Sequence, residues 1–323
     1  MSSEAAASGE EQGLQNVDWS EAWARARATM DGVTRRRVSG GASGVEIALL
    51  DWGGEGELIV LHHATGFCAA TWAPIALALS DRYRVVAVDA RGHGDSTFVL
   101  PEGDPEAYHW SVLADDFQSA MKEILDFTGA DRAKLALGHS FGGAVVLSVA
   151  QRQPEYFDHL LLCDPVVFQK LLPRDNAARV RESGLVDSTL RRRDRFPTRE
   201  DAFNHFRSKG LFARFTPEAL GLYVGEGMRD TSDGDVALKC SPRAEAAVFA
   251  GASLSDLFSE VEKITADTLF VHANQGNFKR EIYDGLAERI PRARVESLEV
   301  GHLFPMDEPK RVVEIIEDLI AAD

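Results

Sequence analysis

One stretch of the 323-residue chain carries residue types suited to nucleophilic catalysis: Gly138-His139-Ser140-Phe141-Gly142, a G-x-S-x-G pattern. The apolar run Leu135 to Leu137 precedes it, and the apolar, helix-compatible run Ala144 to Ala150 follows. Strand, sharp turn and helix are the context that makes such a serine a nucleophile elbow. Side chains two residues either side of the serine would collide with the neighbouring strand or helix, so glycine is preferred there. The serine Oγ is then exposed at a helix N-terminus, where free N–H groups and the helix dipole favour developing negative charge.

Serine is a poor nucleophile at its own pKa. It needs a base within hydrogen-bond reach, and the base needs an orienting acid. The best-placed histidine is His302, in Val300-Gly301-His302-Leu303-Phe304-Pro305. It follows the last expected strand, where a loop leaves the carboxyl edge of a sheet. Catalytic groups of open α/β sheets collect at that edge.

The elements that must position these residues alternate along the chain. Asp18 or Ser20 caps a helix to about Met30, with Trp19, Trp23, Ala26 and Met30 on one face, expected to pack on the body of the protein. Strands are predicted over about 35–39, 45–52 and 57–62. The third is nearly all apolar (Leu58, Ile59, Val60, Leu61), as in a strand buried on both faces of a parallel sheet. A helix over 71–79, a strand over 83–89, a helix over 111–128 and the elbow follow, then a strand over 157–163 leading to Asp164-Pro165. From Val166 to about Ser255 arginine-rich, Pro-punctuated segments appear, with helical patterns near 199–208 and 217–227 and no buried-strand signal. This stretch reads as a helical insertion. Alternation resumes with a strand over 268–273, a helix over 279–290, a strand over 295–300 and a closing helix over 308–321. The pattern argues an α/β protein with a mostly parallel central sheet flanked by helices.

Composition narrows the partners. Lys plus Arg is 35 and Asp plus Glu is 51, a net charge of −16 that disfavours nucleic acid and anionic membrane. An anionic substrate would approach against this field unless the pocket were locally basic. Cys68, Cys163 and Cys240 are odd in number and widely spaced, which suggests neither a disulfide framework nor a zinc site. Residues 1–16 are acidic and rich in Ala, Ser and Gly, without the basic and apolar regions of a signal peptide. No apolar run approaches membrane-spanning length. A cytoplasmic protein acting on a small molecule is the expectation.

The chain resembles the α/β-hydrolase fold superfamily. The matching pieces are His63-Ala64-Thr65-Gly66-Phe67 after the third strand, Asp89-x-Arg91-Gly92-His93-Gly94-x-Ser96 after the fourth, Gly138-His139-Ser140-Phe141-Gly142-Gly143 and Gly301-His302. They occur in the family's order and span about residues 35–320. The resemblance implies Ser140 as nucleophile, His302 as general base and the N–H of Phe141 as one oxyanion donor. The second donor would come from the loop after the third strand, with Thr65 the best match and Gly66 the next. Many relatives place an aspartate after the penultimate strand. Here that loop is His272-Ala273-Asn274-Gln275-Gly276-Asn277-Phe278, without a carboxylate, and Gly276 stands about where the aspartate would. The alternative acid is Asp164, which some subfamilies use and which keeps the order Ser, Asp, His. The insertion after the sixth strand resembles the family's cap. The chain therefore divides into a disordered tail (1–17), a hydrolase core (18–165 and 256–323) and a helical cap (166–255).

These residues imply a serine hydrolase, first a carboxylesterase forming an acyl-enzyme with a small to medium ester, without cofactor or metal. A carbon–carbon bond hydrolase of a small oxo-acid and a receptor-like member with little turnover are the alternatives. Epoxide hydrolysis and dehalogenation in this fold use an aspartate at the elbow, and Ser140 argues against both. Asp89 and Arg91 read as builders of their loop, and His62, His63 and His93 lack the acidic companions of a metal site. His139 reads as a packing or hydrogen-bonding residue facing away from the nucleophile. The arginines of 191–195 read as a solvated helix face, with the holding of a substrate carboxylate as the lesser alternative.

Overall fold

The computed structural model describes residues 17–98, 106–167, 184–252 and 258–322. The expected N-terminal tail lies outside them except for Val17, as do 168–183 and 253–255 of the expected cap. In chain order the first core elements are α1 (Trp19–Ala28), β1 (Thr34–Ser39), β2 (Glu46–Asp51), β3 (Leu58–His62), α2 (Ala73–Leu79) and β4 (Arg84–Val88). They continue with α3 (Trp110–Thr128), β5 (Ala133–His139), α4 (Phe141–Arg152) and β6 (Phe157–Cys163). An inserted segment follows, with α5 (Leu185–Leu190), β7 (Arg195–Phe196), α6 (Arg199–Arg207), α7 (Pro217–Gly225), β8 (Met228–Asp230), β9 (Val236–Leu238) and α8 (Pro242–Ala250). The core resumes with β10 (Asp267–Ala273), α9 (Arg280–Ala287), β11 (Ala293–Leu298) and α10 (Pro309–Ala321).

Eight strands form one sheet in the order β1-β2-β4-β3-β5-β6-β10-β11. The β1/β2 and β2/β4 pairs are antiparallel, and every pair from β4 to β11 is parallel. Alternate side chains of a strand face opposite sides of its sheet. Accordingly Leu61, Leu137 and Leu161 join one apolar cluster with α2 and α10, while Val60, Ala136 and Leu162 join another with α3 and α4. Both faces are covered, which is why the central strands read as unbroken apolar runs. Because β5, β6, β10 and β11 are neighbours and parallel, the loops leaving their carboxyl ends converge on one edge.

The insertion departs from the expected all-helical cap. β7, β9 and β8 form a three-stranded antiparallel sheet. Its strands are two or three residues long, too short to leave a periodic signal, although all of β9 is buried. The arginine run is also corrected: α5 ends at Leu190, so Arg191 to Arg195 form a turn and the start of β7 rather than a helix face.

Asp18 caps α1 by accepting a hydrogen bond from Glu21 N–H at 2.9 Å. The helix packs on the insertion rather than on the sheet-bearing core. A Cβ on Gly221 would stand 2.7 Å from the Ala22 carbonyl oxygen, and one on Gly225 would enter the Trp23 ring. Trp19 stacks on Trp23 at 5.6 Å and meets Phe203 of α6 at 5.8 Å. An apolar stripe announces that a helix has a partner, and tertiary structure chooses which.

Candidate active site

β5 ends at His139 and α4 begins at Phe141, so Ser140 alone makes the turn, at φ 56° and ψ −119°. Among the described non-glycine residues, positive φ occurs at Ser140 and at Asp164 (φ 41°). Each such position costs on the order of 1–3 kcal/mol and persists only when its surroundings over-determine it. Here Ser140 N–H donates to Cys163 O at 3.0 Å, Val166 N–H to Ser140 O at 3.0 Å, and Asp164 N–H to Val271 O at 2.8 Å. The turn also requires glycine at 142, where a Cβ would lie 2.5 Å from the carbonyl oxygens of both His62 and His63.

The three side chains expected to act together are in contact. His302 Nε2 lies 3.0 Å from Ser140 Oγ, and its Nδ1 lies 2.6 Å from Asp164 Oδ2. Asp164 is fully buried, Ser140 is 7% exposed, and the His302 side chain keeps 22% of its surface. The second carboxylate oxygen, Asp164 Oδ1, accepts from Ala273 N–H at 3.2 Å and from Tyr283 O–H at 3.0 Å. Tyr283 stays protonated, because burial and the adjacent carboxylate both raise its pKa. Asn274, in the loop after the penultimate strand, donates its side-chain amide to Glu299 instead.

Two histidines build the loops after β3 and β4 from within. Ala90 N–H donates to His63 Nε2 at 2.9 Å, while His63 Nδ1–H donates to Ala64 O at 2.7 Å. Gly66 N–H donates to His93 Nε2 at 3.0 Å, while His93 Nδ1–H donates to Arg91 O at 3.0 Å. Each neutral ring thus ties the loop after β3 or β4 through one donor and one acceptor. Burial drives His62 down to about 4 and His63 and His93 to about 3, so both tautomers are held in the neutral state. The N–H of Gly66, expected as an alternative oxyanion donor, is therefore already committed. Thr65 lines the cleft beside Ser140 and Phe141. Asp89 accepts from Ala69 and Asp95 N–H groups at 2.6 and 2.9 Å, and Arg91 holds Asp116 through two 2.7 Å bonds, so both serve their loops.

His139 does more than pack. Burial lowers its pKa to about 3, and its Nε2–H donates to the His302 carbonyl at 2.8 Å. It thereby fixes the backbone that carries His302. The motif marks His139 as adjacent to the nucleophile, but only the return of the His302 loop to β5 creates this contact.

Ser140 and His302 open on a cavity of about 1130 Å³ between the sheet edge and the insertion. Its walls are mainly apolar, with Trp110, Phe206, Phe212 and Phe249 among the aromatic side chains. The insertion adds Arg192, which sequence reasoning had placed in solvent. Its Nη2 donates to the Tyr223 hydroxyl at 2.6 Å, and its Nη1 pairs with the buried Glu245 carboxylate. Glu245 in turn packs against Gly66, where a Cβ would stand 2.6 Å from Glu245 Oε1. Tyr223 is pushed up to about 12, chiefly by burial, and remains a neutral hydroxyl.

Residues 59–315 match the model of the alpha/beta hydrolase family, and the chain belongs to that family. It is 26% identical over 234 residues to lipase LipV of Mycobacterium tuberculosis, covering 72% of this chain and 81% of that protein. It is 33% identical over 109 residues to an uncharacterized protein of Mycobacterium bovis, covering 34% of this chain and only 29% of the relative's length. Among solved structures, an E-2-(acetamidomethylene)succinate hydrolase superposes with a TM-score of 0.71 at 20% identity, covering 90% of this chain and 99% of that one. Among the described residues no helix is long and apolar enough to cross a membrane.

Proposed function

We propose that the protein is a serine hydrolase that cleaves a small to medium carboxylic ester through an acyl-enzyme on Ser140. The observation that carries this reading is the unbroken hydrogen-bonded relay from Ser140 through His302 to Asp164, opening on the cavity. In this reading His302 Nε2 takes the Oγ proton as Ser140 attacks the carbonyl, and later gives it to the departing alkoxide. Asp164 keeps His302 in the tautomer with Nδ1 protonated and compensates the imidazolium. The oxyanion rests on the N–H of Phe141, one of the free first-turn donors of α4, and on the Thr65 segment, each such donor contributing about 10²–10³ in rate. Water then attacks the acyl-enzyme, with His302 as base.

Carbon–carbon hydrolysis of an oxo-acid would want a free cation inside the pocket. Arg192 faces inward but is paired with Glu245, and the surplus cations lining the cavity, Arg193 and Lys209, are solvent-exposed, which favours the ester reading over a small oxo-acid. The receptor-like alternative rested on a missing acid, and Asp164 stands within 2.6 Å of His302. A cytoplasmic setting belongs to the same reading, supported by three buried free cysteines.

A stopped-flow experiment with a short-chain p-nitrophenyl ester tests the proposal. We expect a stoichiometric burst of p-nitrophenol followed by turnover, both lost in Ser140→Ala. Absence of turnover in the wild type would remove the ester reading.

A further inference from the structure

The cavity wall contributed by the insertion has an unexpected sign for a protein of net charge −16. Among the described residues lining the cavity, the cations are Arg192, Arg193 and Lys209, and the carboxylate is Glu245. Glu245 is already paired with Arg192, and that guanidinium is further held by Tyr223. Arg193 and Lys209 supply the surplus. Arg193 donates from Nε to Arg195 O at 2.9 Å and lies over the Phe196 ring at 4.3 Å, which leaves its terminal amino groups for another acceptor. Lys209 follows the end of α6 and is exposed. His205 is another cavity-lining residue, and its ring is 5.1 Å from the Phe196 ring that Arg193 covers. After burial, the causes that lower the His205 pKa are Lys209, Arg193 and Arg192, in that order.

A cluster of like charges at the lip of an apolar cavity costs self-repulsion and contributes nothing to the packing behind it. An incoming anion would relieve that repulsion and would meet a locally favourable field. The insertion's wall therefore carries the surplus charge, whereas Phe67, Trp110, Phe141 and Leu303 of the core's wall are apolar. We infer that the natural substrate carries a carboxylate remote from its scissile carbonyl, seated by Arg193 and Lys209 at the insertion end of the cavity. The inference rests on the serine-hydrolase reading and adds the substrate class: a half-ester or comparable ester acid whose hydrolysis by water yields a second carboxylate and an alcohol.

Two probe pairs test it. In the first, mono-p-nitrophenyl esters of glutarate and suberate are compared with their methyl-capped diesters. In the second, acetyl esters of ω-hydroxy acids are compared with the methyl esters of those acids. We expect the free acid of at least one pair to show kcat/KM about tenfold above its capped form, the scale of two partly exposed ion pairs. The ratio should shrink at high salt, as screened charges require, and invert in the double variant Arg193→Glu/Lys209→Glu, whose melting temperature checks that it folds. Equal or lower kcat/KM for the acids in both pairs, or a preference that survives the double reversal, overturns the inference. If no ester is turned over, calorimetry on Ser140→Ala separates the two failures. Binding of suberate in preference to dimethyl suberate, lost in the charge-reversed background, upholds the anion site without the ester reading. No such binding removes both.

Discussion

Asp164 Oδ2 lies 2.9 Å from the point a Cβ on Gly276 would occupy. The two residues come from different loops, after β6 and after β10, yet they share one volume beside His302. The carboxylate from the first loop fills the space that an aspartate on the second would need. Gly276 is therefore the complement of Asp164.

This relationship predicts a transplant. Asp164→Asn should lower kcat by about 10⁴, the scale expected when a histidine loses its orienting carboxylate. In an Asp164→Ala background, Gly276→Asp should recover at least about tenfold of that loss by placing a carboxylate near His302 Nδ1. Steady-state kinetics on a p-nitrophenyl ester would decide. A second-site aspartate that gives no gain over Asp164→Ala would show that the two loops do not share the position.

Gly142→Ala should destabilise the fold by about 3 kcal/mol, the upper range for overpacking against rigid neighbours. The new methyl would meet the carbonyl oxygens of His62 and His63 at 2.5 Å, and neither backbone group can rotate away. Urea unfolding followed by tryptophan fluorescence measures this. A midpoint within error of the wild type would mean the elbow can open without cost.

Stability should collapse on mild acidification. Burial holds His62 at about 4 and His63, His93 and His139 at about 3, well below the value of the unfolded chain. The unfolded state therefore binds more protons than the folded one between about pH 6.5 and these values. Their contribution is complete above about pH 6.5 and is lost as pH falls, at about 2 kcal/mol per histidine by pH 5. Asp89 and Asp307, each raised to about 6 chiefly by burial, act in the opposite sense and offset about 1 kcal/mol each by pH 5. Glu245, also raised chiefly by burial, opposes the loss in the same sense, and a net loss of a few kcal/mol remains, a large fraction of the stability of an ordinary domain. Thermal melts should thus show a plateau above pH 6.5 and a steep fall toward pH 5. Equal stability at pH 8 and pH 5 would contradict it.

Local pattern was enough to single out the elbow, the alternating elements and the histidine that meets Ser140. Gly138-His139-Ser140-Phe141-Gly142 encodes a turn that only small flanking residues permit, and His302 announces itself by following the last strand. Apolar runs with period two or 3.6 report which segments are strands and helices, because burial of each face acts over a few residues. Tertiary structure decided the rest, and in each case the deciding distance joins residues far apart in the chain. The choice between Asp164 and the 274–278 loop depended on β6 lying beside β10, so that Asp164 N–H reaches Val271 O and its carboxylate reaches His302. The helix from Trp19 found its partner in α7 because Gly221 and Gly225 open a groove there. Arg192 turned inward because Glu245 and Tyr223, 53 and 31 residues away, were waiting to receive its charge and its hydrogen bond. Periodicity records that a face must be covered or a charge satisfied. Which partner does so is set by the packing of the whole chain.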